Sequence, residues 1–223
     1  MARAANPNLK QQLADAATEI FATHGLAAAR VSDITDRAGT SKGAFYLHFE
    51  SKEAAYLEIA RTFLDRLLSL LGCQGDVLCD PAAPDHLERE VAADREFMDF
   101  LWQHRRPLAM VLDGAVGTPY ASMQDEFIDS VLRHMRSSIH LHQRTYPHLV
   151  NIIDPELAAT MATGIVFMYA RRIIREHRPP FAVEHLIAFR ALLASGNSLV
   201  GELAASSATS VVPAHPAVGS STP

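Results

Sequence analysis

The stretch DITDRAGTSKGAFYLHF, from Asp33 to Phe49, interrupts a helical pattern with a glycine and then begins the next helix with two very small residues. Gly39 favours the left-handed backbone conformation that lets a chain reverse direction between two helices. Gly43 and Ala44 follow Ser41, a residue type that often caps a helix. A surface that a large partner approaches closely needs such small residues. The spacing predicts a helix-turn-helix, although an ordinary corner between two helices fits it equally well.

A helix-turn-helix places its second helix in the DNA major groove, and the residue types of this stretch suit that position. Gly43 and Ala44 would let the helix backbone approach base edges, and Lys42 would reach a guanine edge or a phosphate. A tyrosine, a histidine and a second lysine farther along carry groups that suit phosphate oxygens. The residues predicted to contact DNA are Thr40, Ser41, Lys42, Gly43, Ala44, Tyr46, Leu47, His48 and Lys52.

Helical periodicity dominates the chain and no convincing pair of strands is present, so the sequence predicts an all-α fold. The front part is predicted to hold a helix from Asn6-Pro7 to Gly25, a short helix over 31–38, a third capped by Ser41 or Thr40, and a fourth capped by Ser51 that runs to about Leu71. A loop is expected over 72–85. Four or five helical patterns follow, at roughly 86–103, 107–115, 119–142, 155–177 and 181–205.

Composition excludes several classes of protein. The 223 residues are 48% hydrophobic and 20% charged, which is ordinary for a globular chain and argues against extensive disorder. No apolar run reaches the roughly 18 residues that a membrane span needs, and the first residues lack an apolar signal core, so a cytoplasmic protein is expected. The net charge is −5, divided as +1 over residues 1–52 and −6 over the remainder. Binding of a polyanion therefore requires individually placed contacts.

Residues 31–49, followed by Ser51-Lys52-Glu53, closely resemble the DNA-binding domain of the TetR family of transcriptional regulators. The matching features are Ile34, Ala38-Gly39, Ser41-Lys42-Gly43, Phe45-Tyr46, His48-Phe49, Lys52-Glu53 and a run with an Ile-Phe pair from Ala17 to Gly25. The resemblance covers about the first 65 residues, and the rest resembles the family only in being helical and of suitable length. Two residues depart from the family pattern. Arg30 stands where a capping Thr is common, which leaves the second helix capped by Ser32 or weakly capped, and Thr35 replaces a usual Ala.

The resemblance implies a TetR-like architecture and a function. It predicts a helix-turn-helix DNA-binding domain over 1–52, a connecting helix over 53–71, a helical effector-binding and dimerisation domain over 86–205 and a disordered tail over 206–223. It implies a homodimeric regulator, most simply a repressor, that binds a double-stranded DNA operator and is released by a small, mostly apolar effector. No catalytic motif is recognisable, and no enzyme activity, cofactor or metal site is predicted. A helical interaction protein and a small helical enzyme remain the alternatives.

Large, adaptable side chains in the rear part are candidates for an effector pocket. Methionine and aromatic residues line apolar ligand sites well, although the same residues also fill ordinary cores. The residues predicted to contact the effector are Phe97, Phe100, Trp102, Met123, Phe127 and Phe167. The dimer is predicted to form through the last two long helices, with Leu192, Gly196, Leu199 and Leu203 on one and Met161, Ile165 and Met168 on the other.

Overall fold

The structure, a computed structural model, describes residues 8–77, 85–145 and 154–176. Eight helices and no strand lie within these ranges, which confirms the predicted all-α fold. In chain order they are α1 (Leu9–Ala28), α2 (Val31–Arg37), α3 (Lys42–Tyr46), α4 (Lys52–Val77), α5 (His86–Gln103), α6 (Arg105–Asp113), α7 (Met123–Thr145) and α8 (Pro155–Ile173). Over the same ranges, no helix combines the length and apolarity that crossing a bilayer would require.

Helix α1 follows from a stripe of apolar residues at helical spacing. Leu13, Ala17 and Phe21 recur every four residues and are all fully buried. Gly25 interrupts the helix with φ 73° and ψ 163°, close to the predicted end, and one further turn follows it. The interruption frees the N–H of Leu26 from the helix, so that this group can bond to another part of the molecule.

The turn and the caps around α3 confirm the local reading of the sequence. Gly39 has φ 63°, the left-handed conformation predicted for the reversal between α2 and α3. The Ser41 hydroxyl accepts a hydrogen bond from the N–H of Ala44 at 3.2 Å, and Ser51 accepts one from the N–H of Ala54 at 3.0 Å. These two caps satisfy N–H groups that have no partner inside their own helices, and they fix where α3 and α4 begin.

Helix α2 lacks such a cap. Arg30 occupies the N-cap position without a side-chain hydrogen bond, and the Ser32 hydroxyl donates to the Asp33 carboxylate at 3.4 Å instead. Thr35 is buried, and its hydroxyl donates to the Ser32 carbonyl oxygen at 3.0 Å. Of the two alternatives left by the sequence, α2 is therefore the weakly capped helix.

The boundaries of α4 and of the later helices differ from those predicted. α4 continues to Val77, so the first part of the predicted 72–85 loop is helix. A glycine inside a helix costs only about 1 kcal/mol relative to alanine, and the two glycines beyond Leu71 do not outweigh the continuing helical hydrogen bonds. α7 begins at Met123 instead of 119, because Gly117 and the turns that follow occupy that segment. The predicted helix over 181–205 and the predicted tail over 206–223 lie outside the described residues.

One continuous core joins the front helices to the rear ones. α4 packs against α1 on one side and against α6 and α7 on the other, and α7 pairs closely with α8. Phe21 of α1 and Tyr56 of α4 meet edge to face, with ring centroids 5.5 Å apart. The same buried cluster extends to Met110 of α6 and Phe127 of α7. The orientation of the DNA-binding helices is therefore tied to the packing of the rear helices.

Candidate DNA-binding interface

Helix α3 has one buried face and one face directed away from the protein. Phe45 and Phe49 lie one turn apart, are buried, and hold the helix against the core with ring centroids 5.4 Å apart. Gly43 and Leu47 also lie one turn apart, and both are exposed. Because each residue of a helix is rotated by about 100°, Leu47 points roughly opposite to the two phenylalanines. The outward face of α3 therefore carries small and apolar residues, with Tyr46 exposed beside them.

Eight of the nine residues predicted to contact DNA lie together on α3 or directly next to it. Five of them are exposed, including Ser41, which also caps the helix, and three are half-buried at the edges of the same surface. The exposed residues are Ser41, Lys42, Gly43, Tyr46 and Leu47, and the half-buried ones are Thr40, Ala44 and His48. This set provides a continuous surface with an ammonium, a phenol and an imidazole around small residues. Together they form the candidate interface.

The protein's own packing does not require the glycine at position 43. A β-carbon built there would meet only the Ser41 hydroxyl oxygen, at an ordinary contact distance of 3.8 Å. Gly43 also has no positive φ, so its backbone conformation is open to other residues. The described part of the chain therefore gives no packing reason for a residue this small. A large partner that approaches the helix closely provides such a reason.

Lys52 is placed differently from the other predicted contacts. Its ammonium donates to the carbonyl oxygens of Leu26, Ala27 and Ala29, at 2.8, 3.1 and 2.9 Å. An ammonium has three N–H groups, and all three are used by these bonds. Lys52 thus caps the carbonyl end of α1, where a cation is also favoured by the helix dipole. A phosphate contact, as predicted from the sequence, would have to compete with these bonds.

Backbone carbonyl groups of α6 and of Gly114, which follows it, accept hydrogen bonds from α4 and α1. The Tyr56 hydroxyl donates to the carbonyl oxygen of Met110 at 2.9 Å, and burial raises the pKa of Tyr56 to about 12. The N–H of Leu26, freed by the interruption at Gly25, donates to the carbonyl oxygen of Gly114 at 2.7 Å. A β-carbon at Gly25 would lie 3.3 Å from that same oxygen. The end of α6 and the end of α1 are therefore in close backbone contact.

A carboxylate forms a third connection on the same side of α6. Glu19 of α1 pairs with Arg106, which precedes Met110 by one turn, and also with Arg37 at the end of α2. Both arginines are more than half exposed, whereas the Glu19 side chain is mostly covered. One carboxylate thus links α6 to the helix that leads into the turn before α3. Nothing in the spacing of these residues along the chain indicated this link.

The six predicted effector-contacting residues belong to one apolar cluster. Phe97, Met123 and Phe127 are buried in it, and Phe100, Trp102 and Phe167 pack against it while partly exposed. Phe100 stacks on Phe63 of α4 with ring centroids 5.8 Å apart. The guanidinium of Arg105 lies 4.5 Å from the centre of the Trp102 ring. The six residues come from α5, α7 and α8 and are referred to below as the rear layer.

A groove of about 610 Å³ lies beside α4 and α5, and its lining combines apolar side chains with charged ones. Of the six predicted effector residues, Phe100 lines it. The lining residues are Leu70, Glu88, Val91, Ala92, Arg95, Glu96, Asp99, Phe100 and Gln103. The groove thus contains Phe100 together with charged residues of α5, and the predicted effector pocket stays a prediction.

Comparison with known proteins adds independent findings. The family described as "Bacterial regulatory proteins, tetR family" matches residues 13–59, which contain α2 and α3 and most of α1. The transcriptional repressor KstR2 of Rhodococcus jostii is 48% identical over 58 residues, which cover 26% of this chain and 28% of that protein. The transcriptional activator FasR of Mycolicibacterium smegmatis is 38% identical over 90 residues, covering 40% of this chain and 39% of that protein. The chain thus matches less than two fifths of the length of either relative.

The fold is similar over a longer range. The crystal structure of a TetR-like transcriptional regulator from Rhodococcus sp. RHA1 superimposes with a TM-score of 0.67 and covers 89% of this chain and 100% of that chain. Its sequence identity is 21%, so the likeness concerns the arrangement of helices. The family match covers the helices that form the candidate interface, and the fold match extends the same architecture to the rear helices. Residues 13–59 therefore match the TetR family model, and the described helices share the fold of TetR-like regulators.

Proposed function

We propose that this protein is a ligand-responsive, DNA-binding transcriptional regulator, acting as a homodimeric repressor that a small, mostly apolar effector releases from its operator. The observation that carries the proposal is the outward face of α3. Gly43 stands there although the protein's own packing has room for a side chain, and Lys42, Tyr46 and His48 surround it. Small residues allow close approach to base edges, and the surrounding polar groups suit phosphates.

The proposed homodimer is supported by an apolar stripe on α8. Leu157, Met161, Ile165 and Met168 recur at helical spacing and are exposed. Gly164 lies on the same side of the helix, and a β-carbon there would meet nothing within 4 Å. Large exposed apolar stripes of this kind typically pack against another protein surface. A second copy of this chain is the proposed partner, since a two-fold dimer presents two recognition helices to two half-sites.

The proposed release mechanism is supported by the contacts between α6 and the DNA-binding helices. An effector that enters the apolar cluster would displace α5 and α6, and α6 is bonded to α1 and α4 through Gly114 and Met110. The orientation of α3 relative to its twin would then change. An effector needs only to bind the displaced state better than the DNA-competent state, and a difference of about 1–3 kcal/mol produces a 5- to 150-fold change in operator affinity.

We propose repression instead of activation because a repressor acts by occupying its operator, and this requires nothing from the protein beyond DNA binding. The related KstR2 is named a repressor and FasR an activator, so transcription from the regulated promoter must be measured to distinguish repression from activation. A reporter gene placed behind the selected operator should be transcribed less when this protein is present. Increased transcription would replace repression with activation and leave the DNA-binding proposal intact.

The test of DNA binding is selection of sites from a pool of random duplexes, followed by titration of the enriched duplex over a salt series. We expect a two-fold related site whose halves are about one helical turn apart, roughly 34–36 Å. Affinity for that site should exceed affinity for unrelated duplex by at least about 10³ at the same salt concentration. Selection that enriches no sequence would contradict the proposal.

A further inference from the structure

Leu47 is the most exposed of the large apolar side chains in the described ranges, with 83% of its surface accessible. It follows α3 directly, and its N–H donates to the carbonyl oxygen of Gly43 at 3.2 Å, so the helical turn continues through it. Leu47 therefore stands on the outward face one turn beyond Gly43.

The position of Leu47 follows from helix geometry. It is two residues from Phe45 and two residues from Phe49, both of which are buried. Two residues correspond to a rotation of about 200°, so Leu47 points nearly opposite to both rings. The anchoring of the phenylalanines therefore fixes the direction of the leucine. The same anchoring places Gly43 and Ala44 at its base, where neither residue has a side chain long enough to cover it.

An isolated exposed leucine needs no explanation on an ordinary surface. This leucine lies at the centre of a surface whose edges carry Lys42, Tyr46 and His48, groups that suit phosphate oxygens. An apolar protein partner would have to bury those polar groups without obvious compensation. DNA satisfies both parts of the surface, because phosphates flank the groove and one apolar group projects within it. In the major groove that group is the C5-methyl of thymine.

We propose that Leu47 is a specificity-determining residue that packs against thymine methyl groups in each operator half-site. The inference rests on the proposed DNA-binding function and adds a chemical preference to it. Gly43 and Ala44 allow α3 to lie deep enough for the contact. The leucine side chain has no hydrogen-bonding group, so it distinguishes bases by the presence of the methyl group. Lys42 remains available for a guanine edge or a phosphate nearby.

The experiment replaces each thymine of the selected operator in turn by deoxyuridine, in both half-sites, and measures affinity for the wild type and for Leu47→Ala. Deoxyuridine removes one methyl group and keeps the hydrogen-bonding pattern of the base. At one or two positions we expect wild-type binding to weaken by roughly fourfold per half-site, the loss expected for one methyl-sized group. Leu47→Ala should bind the thymine operator less tightly and should lose its sensitivity to deoxyuridine at those same positions.

Leu68→Ala provides a matched control, since Leu68 is an exposed leucine on α4, away from α3. It should keep the wild-type response to deoxyuridine. Equal sensitivity of the wild type and Leu47→Ala at every position, or no sensitivity in either, would overturn the inference while the enriched operator upheld the proposed function. If no operator is enriched at all, the proposed function fails and this inference fails with it.

Discussion

The front helices and the rear helices place their candidate residues in different environments. On α3 most candidates are exposed, with 56% of Tyr46 and 83% of Leu47 accessible. In the rear layer three candidates are buried, with 3% of Met123 and 1% of Phe127 accessible, and the other three are only partly exposed. A substitution on α3 can therefore change recognition and leave the fold intact. A substitution in the rear layer changes stability first, and any effect on ligand response must be separated from that loss.

This contrast gives different physical meanings to similar residue types. Phe45 and Phe49 hold α3 against the core, whereas Lys42 and Leu47 are exposed. In the rear, Phe127 is both a candidate ligand contact and part of the continuous core. In the front of the molecule, recognition and stability depend on different side chains. In the rear, the same side chains serve both.

The largest effect is expected from Ala44→Glu. A longer, negatively charged side chain would hold α3 away from the groove and repel phosphates, so specific affinity should fall to the non-specific level, a loss of at least about 4 kcal/mol. Operator titration measures the loss, and urea unfolding should show stability within about 0.5 kcal/mol of the wild type. Ala92→Glu adds the same charge to an exposed position on α5 and should bind normally. Unchanged operator affinity in Ala44→Glu would remove α3 from the interface.

Phe127→Ala should have the opposite pattern. Removal of a fully buried aromatic ring leaves a cavity and should lower the free energy of unfolding by about 3–5 kcal/mol, as measured by urea denaturation. Phe127→Leu keeps most of the volume and should lose much less. If Phe127→Ala kept its stability, the side chain would already line an open pocket in the absence of effector. That outcome would sharpen the assignment of the effector site.

The front of the molecule was the more predictable part because its signals are local. Gly39, Ser41 and Ser51 act on backbone groups within a few residues of themselves, and the turn and the two caps predicted at these residues are present. The identity of the outward α3 face followed from the same short stretch. Family resemblance extended this reading to an architecture that the structure confirms.

The contacts between distant segments could not be predicted in the same way. Lys52 reaches carbonyl oxygens more than 20 residues away, and Glu19 meets Arg106 on another helix, so neither pairing leaves a spacing signal in the chain. Tyr56 is a different case. It begins a stripe at helical spacing that continues through Ala60, Phe63, Leu64, Leu67 and Leu71, all of them buried. The period alone would have placed Tyr56 in the core, where its hydroxyl needs a partner.

Lys52→Met should separate a structural lysine from a DNA-contacting one. The change keeps most of the length of the side chain but removes three hydrogen bonds from the end of α1, so the free energy of unfolding should fall by about 1.5–3 kcal/mol. The dependence of operator affinity on salt should stay unchanged. Lys42→Met is the matched control, and it should leave stability unchanged while lowering the salt slope by about one unit per protomer if it contacts a phosphate. A reduced salt slope in Lys52→Met would restore Lys52 to the interface.

Tyr56→Phe tests the bond between α4 and α6 and its dependence on pH. Loss of the hydrogen bond to Met110 should destabilise the fold by about 0.5–1.5 kcal/mol at neutral pH. Burial raises the pKa of Tyr56 from 10.0 to about 12, so the folded state retains this proton more strongly than the unfolded state. The corresponding stability is fully present below pH 10 and is lost as pH rises toward 12. Unfolding measured across that range should show a shallower decline for Tyr56→Phe than for the wild type, and Tyr46→Phe, an exposed counterpart, should follow the wild type.

The smallest effect is expected at Glu19, where the two regions meet through exposed groups. Glu19→Gln should lower stability by no more than about 1 kcal/mol, because both arginine partners are largely solvated. Operator affinity should nevertheless fall by up to about fivefold, since α2 loses its link to α6 and with it part of the orientation of α3.

If the link acts through α6, Arg106→Gln should weaken binding similarly, and the double variant should be no weaker than either single one. Glu58→Gln breaks the Lys10–Glu58 pair, which joins α1 to α4 at 2.7 Å without involving α6, and should leave operator affinity unchanged. Additive losses in the double variant would show that Glu19 and Arg106 affect binding independently, so that their ion pair is not the link between the two regions.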